Sequence, residues 1–268
     1  MCEQFTTDHL YAASRVQATF RDGSGESSFL GTGVILRGRS GALRFVTNRH
    51  VVDRAAYLDG ASSLKLTKLL VKLWQRAEDV STVPNASWID VGLPDMELPS
   101  DGTVDLAAFN LPIDDGPLAS FALNDDILAR GDQFEGVLQA GEAVLLAGFP
   151  DWCDANGKRP VLRAGVIASD PRNGYRVKSG EPSKRDGNET VAIDVASSPG
   201  CSGGPVFVAG RETGRVEQQH PVLLLGLNAD EVTRKTKSGD DEVGIGVSRV
   251  YKSIVIGQLL DNLDRRRG

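Results

Sequence analysis

Cysteine is scarce in this chain: three in 268 residues, Cys2, Cys153 and Cys201. The number is odd and the spacings are wide, so neither a disulfide framework nor a zinc pattern is suggested, and no metal or cofactor is expected. No apolar run approaches the roughly 18 residues that would signal a membrane span. The first ten residues, Met1 to Leu10, lack a basic segment followed by an apolar one. No secretory leader is read there, and a cytoplasmic location is expected. Positive charge is also short. A net charge of −6 argues against the basic face of a nucleic-acid binder, and the longest basic run is Arg265-Arg266-Arg267. Histidine is limited to His9, His50 and His220, which leaves few candidates for imidazole chemistry.

Apolar residues are not lacking. At 40% of the chain they can fill the core of one large domain or of two lobes that share one. Most fall in short runs of strand character: 15–20, 29–36, 43–47, 66–74 and 104–111, then 143–147, 161–169, 190–195, 205–208, 222–228 and 244–250. Clusters of Gly, Pro, Asn, Asp and Ser separate them. Many short strands with turn signals predict an all-β barrel or sandwich. The end differs: over 251–265, Ile254, Val255, Leu259, Leu260 and Leu263 form a helical stripe. A second short helix is predicted over 8–13. Segments 170–189 and 230–242 are charged or polar and read as surface loops.

Three segments carry chemistry. Phe45-Val-Thr-Asn-Arg-His50-Val-Val places a histidine at the end of an apolar strand. Thr103-Val-Asp105-Leu-Ala-Ala places an aspartate in an apolar strand. Ser198-Pro-Gly200-Cys201-Ser202-Gly203-Gly204-Pro205 places a serine in a glycine-rich turn. Each alone has a bland explanation, a structural histidine, a solvent-facing aspartate or a tight turn. Together they supply what nucleophilic catalysis needs. A serine hydroxyl requires a base to take its proton, and histidine suits that role. A carboxylate must then fix the imidazole tautomer. Glycines about the serine permit a turn that aims the N–H groups of Gly200 and Ser202 at one point, as an oxyanion hole requires.

These segments, in this order, resemble the trypsin-like (chymotrypsin-fold) serine peptidases, and the bacterial high-temperature-requirement type more than the digestive type. Gly31-Thr-Gly33-Val-Ile-Leu, Leu225-Gly226-Leu227-Asn228 and Gly244-Ile-Gly246-Val extend the likeness over roughly 15–250. The resemblance implies a single peptidase domain over 1–268 built of two six-stranded antiparallel β-barrels, at about 15–125 and 135–250, with a C-terminal α-helix at about 251–265; unlike many high-temperature-requirement proteases, no PDZ domain is expected. It implies a serine endopeptidase with Ser202 as nucleophile, His50 as general base and acid, and Asp105 orienting it. Ala196, six residues before the serine, maps to the floor of the pocket for the residue preceding the cut, so small or medium apolar side chains are expected there. Gly226, Leu227 and Asn228 map to the strand that pairs with substrate.

Departures from the family pattern are informative. Asn48 and Arg49 replace a small pair before the histidine, a change expected to leave the chemistry untouched. Cys201 stands where digestive members carry an aspartate that pairs with a freshly cut N-terminus, so activation by such cleavage is not expected. Cys201 itself is read as a small semi-buried residue, since it is one position too early to be the nucleophile. Gly200-x-Ser202-x-Gly204 also fits the α/β-hydrolase elbow, but those enzymes follow the order Ser, Asp, His, and the only histidine after Ser202 is His220, too close to accommodate that fold. The expected partners are a protein or peptide substrate and a regulatory protein partner acting with the two surface loops. A catalytically silent, protease-like peptide-binding module is the alternative.

Overall fold

The computed structural model describes residues 4–56, 64–79, 82–113, 116–152, 159–175, 189–210, 220–235 and 242–266. Cys2, Cys153, Arg267 and the middle of both expected surface loops lie outside the described residues.

The first half of the chain forms β1 (Ala13–Asp22), β2 (Gly25–Arg37), β3 (Leu43–Thr47), β4 (Lys65–Gln75), β5 (Asn85–Asp90), β6 (Ala107–Asn110) and β7 (Leu123–Asn124), with short helices α1 (Thr7–Tyr11) and α2 (Arg49–Val52). Its sheet runs β5-β4-β1-β2-β3-β6, and β7 adds to β2 in parallel. Alternating side chains bury Val16, Ala18, Phe20, Phe45, Leu69, Val71, Leu73 and Phe109 in one apolar cluster. This sheet is not a closed barrel. β5 ends at Asp90, and the chain reaches the free edge of β6 only through one bridge, Glu97 to Ala108, whose two hydrogen bonds are 2.8 and 3.0 Å. The expected six-strand closure is therefore reduced to a single point of pairing.

The second half forms α3 (Gly131–Gly136), β8 (Ala143–Gly148), β9 (Val161–Ile167), β10 (Thr190–Asp194), β11 (Pro205–Val208), β12 (Leu223–Lys235), β13 (Glu242–Lys252) and α4 (Ser253–Arg265). Here the strands close a six-membered barrel, β10-β13-β12-β11-β8-β9. Phe134, Val144, Leu146, Val191, Ile193, Val206, Leu225 and Val250 fill it. Among the described residues no helix is long and apolar enough to cross a membrane.

A third cluster joins the halves. Ala12, Val34, Leu36, Val46, Leu106 and Ala108 meet Phe207, Leu224, Leu227, Tyr251 and the apolar stripe of α4. The two ends of the chain clasp opposite lobes. Phe5 and His9 pack edge-on against Phe207 of the second barrel. α4 returns to the first sheet, where Asp264 takes an ion pair from the fully buried Arg44 of β3 and Asn262 donates to Glu97 at 2.7 Å.

Several boundaries differ from the sequence reading. β5 was not anticipated. Segment 230–235 is not a loop but the end of β12, because its charges are satisfied along the strand: Arg249 holds Asp230 at 2.9 Å, and the Gly246 N–H donates to Glu231 at 3.1 Å. The helix expected over 8–13 is the single turn of α1, and the C-terminal helix starts at Ser253 because Tyr251 and Lys252 still pair in the barrel.

Candidate active site

The inner residues of β3 are all buried, and the strand delivers the chain to α2 at the boundary between lobes. Val51 and Val52 anchor that turn in the first cluster, and Gly31 leaves room for Val51: a Cβ there would lie 2.7 Å from its Cγ1. With its neighbours pinned, His50 stays at the surface, its side chain 28% exposed. Nδ1 lies 2.6 Å from Oδ2 of Asp105, and the His50 main-chain N–H donates to Oδ1 at 2.8 Å. An ionised carboxylate only accepts, so Nδ1 carries the proton and Nε2 is left as an acceptor.

Asp105 does not sit within a strand as expected. It precedes β6, in an extended stretch whose start is bent by Asp101, which accepts from the Thr103 N–H at 2.9 Å. Buried Val104 and Leu106 hold this stretch on either side. The carbonyl of Asp105 accepts from Nδ2 of the fully buried Asn48 at 2.8 Å. Asn48 thus has a structural part that the sequence did not announce: its short amide bridges the histidine turn to the aspartate. Tyr251, whose hydroxyl reaches the Thr103 carbonyl at 3.4 Å, closes the far side, and burial pushes its phenol up to about 12.

Ser202 comes from the second lobe, in the turn that leads into β11. Gly200 and Gly203 have φ of +93° and +83°, and a Cβ on them would fall 2.3 Å from the Phe149 carbonyl and 2.1 Å from the Thr32 carbonyl, so both positions require glycine. The carbonyls of the turn are tied back. Thr32 Oγ1 donates to Gly200 at 2.7 Å, the Gly204 N–H to Cys201 at 2.9 Å and the Thr32 N–H to Ser202 at 2.9 Å. Among the described residues the N–H groups of Gly200 and Ser202 take no partner, which leaves two donors at the turn. Thr32 also accepts from Thr47 Oγ1 at 2.6 Å, so one residue of β2 joins the serine turn to the strand that leads into the His50 turn. Sequence reasoning had noted Thr32 only as part of a glycine-flanked strand. Cys201 is a buried thiol beside Gly148. Among the described residues no three His, Cys, Asp or Glu side chains cluster closely enough to hold a metal ion.

The expected substrate-pairing residues are placed differently. Gly226 and Leu227 lie inside the barrel, with β11 on one side and β13 on the other. The Asn228 N–H donates to Gly204 at 2.8 Å, its carbonyl accepts from Gly203 at 2.8 Å, and its side chain donates to Ser197 at 2.9 Å. These groups brace the serine turn and are not available to a peptide. The β11 ladder ends at Leu227, so the edge of β12 opens only from Ala229 onward. Ala196 is half-buried just past β10, next to Ser197, while Asp194 is exposed on the outer face.

The model of the trypsin-like peptidase domain matches residues 31–216, a stretch that contains His50, Asp105 and Ser202 and more than half of the chain. The chain belongs to the trypsin-like peptidase family. The solved structure of a thermostable serine protease, AL20, from an extremophilic microorganism is similar in fold to this family member. The TM-score is 0.54 over 96% of this chain and 99% of that one, at 12% identity. No curated protein sequence matches the chain.

Proposed function

We propose that this trypsin-like peptidase is an active serine endopeptidase whose catalytic residues are His50, Asp105 and Ser202. The observation that carries the reading is the two-point hold of Asp105 on His50, through ring and main chain, which fixes the tautomer a general base needs. His50 Nε2 takes the proton of Ser202 as Oγ attacks the scissile carbonyl. The C–O bond forms, and the electron pair moves onto the carbonyl oxygen, opposite the N–H groups of Gly200 and Ser202. Collapse expels the amine, which receives the proton from His50. Water then repeats the sequence on the acyl-enzyme, releasing the acid and restoring Ser202.

Substrate adds as a strand to the β12 edge from Ala229 onward, and Ala196 favours small or medium apolar residues before the cut. Likeness to the high-temperature-requirement type, without the aspartate that terminal cleavage would engage, favours regulation through segment 170–189, through the segment that joins β12 to β13, or by a protein partner. Labelling with a fluorophosphonate tests the core of the reading. A band on the wild-type chain that disappears in Ser202→Ala is expected. Equal labelling of both would refute the assignment of the nucleophile, and a wild-type chain that neither labels nor cuts would favour the silent binding module.

A further inference from the structure

The turn that carries Ser202 has two flanks. Asn228 braces one of them, next to the open edge of β12. The other is covered by the segment after β8. There the Phe149 carbonyl abuts Gly200, and the Asp151 N–H donates to the Pro199 carbonyl at 2.9 Å. That segment continues into Trp152, whose residue surface is 60% exposed, an unusual placement for so large an apolar ring. The indole is nonetheless fixed, because Nε1 lies 3.3 Å from the Ser198 hydroxyl oxygen. Arg163 of β9 directs Nη1 to the same oxygen at 3.3 Å, and its guanidinium carbon lies 5.9 Å from the indole centroid. Arg163 is half-buried, yet among the described residues no carboxylate pairs with it. The neighbouring acids Asp151 and Asp194 are both exposed and form no ion pair with it.

A half-buried guanidinium without a counter-charge, beside an exposed aromatic, is suited to a carboxylate ligand: its planar fork matches two oxygens, and the ring covers the stem that bears them. We propose that Trp152 and Arg163 form a subsite for an acidic residue of the substrate on the leaving-group side of the scissile bond. The proposal rests on the peptidase reading above. A peptide that enters along β12 on one flank crosses Ser202 and departs over the opposite flank, where these two side chains stand.

The test is a cleavage profile of a complex peptide library, read by mass spectrometry as the residues on either side of each cut. At low salt, Asp and Glu should be enriched about fivefold over Asn and Gln at one of the first three positions after the cut, as expected of one partly exposed charge pair. The enrichment should shrink at high salt. Arg163→Gln should bring it close to onefold, and Arg163→Glu should turn it toward Lys. Each ratio is internal to its own digest, so it holds even if a variant is slow. The wild-type profile alone also decides: cutting with no acidic enrichment, or enrichment indifferent to salt, overturns the subsite and leaves the peptidase reading standing. A wild-type chain that cuts nothing and is not labelled at Ser202 overturns both.

Discussion

Replacing Asp105 by Asn keeps the shape of the side chain and removes what it does. The carboxylate accepts twice from His50, at 2.6 Å from the ring and 2.8 Å from the main chain. An amide can keep one oxygen on the main-chain N–H, but then presents NH2 to Nδ1. The ring must shift its proton to Nε2, the atom that has to take the proton of Ser202. The loss has two parts. The imidazolium formed in the transition state loses a carboxylate at about 4 Å between charge centres, worth about 4 kcal/mol at the effective dielectric of about 20 suited to a partly exposed pair. The tautomer shift adds about another factor of ten, so the rate of acylation should fall by about ten-thousandfold in all. The assay is the second-order rate of fluorophosphonate labelling, with thermal unfolding followed in parallel. A loss below about thirtyfold in a folded Asp105→Asn chain would refute the reasoning, because the electrostatic part, the larger of the two, would then be missing.

Two further outcomes concern the frame of the site. Gly203→Ala forces a side chain to a φ of +83° and places Cβ 2.1 Å from the Thr32 carbonyl, so a loss of several kcal/mol in urea unfolding, or failure to fold, is expected; stability within 1 kcal/mol of wild type (about one-fifth of a marginal domain's total) would show that the turn is not built as described. Lys252 is fully buried, with Nζ donating to the Pro171 carbonyl at 2.6 Å, and burial lowers its ammonium to about 8. The unfolded chain therefore holds that proton more tightly. Between pH 8 and the ordinary lysine value, stability should rise with pH, by about 3 kcal/mol over the full window. Urea midpoints at pH 7.5 and 9.5 check this, and Lys252→Met should flatten the difference.

The family of this chain was more legible than its frame. The order of His50, Asp105 and Ser202 singled out one fold from two, because these residues sit in short segments with their own turn and strand signals. Charged strands were not legible. Asp230 and Glu231 look like loop residues until Arg249 and the Gly246 N–H are brought across from β13, and nothing local announces that pairing. Arg44 lies in an apolar run and gains its meaning only when Asp264, on the last helix, arrives beside it. The structural parts of Asn48 and Asn228 were not legible for the same reason. Each bonds a residue distant in sequence, Asp105 in one case and the serine turn in the other.

The reciprocal clasp of the two chain ends has a temporal side. A chain emerging from the ribosome exposes His50 and Asp105 well before Ser202, and α4 follows all three. Only α4 brings Asp264 to Arg44 and Asn262 to Glu97, fastening the second lobe onto the first. The candidate site therefore gains these ties only after all three of its residues have emerged, and a chain that stops before Ser253 holds its halves together through the rest of the shared apolar cluster and the Thr32 bonds to the serine turn.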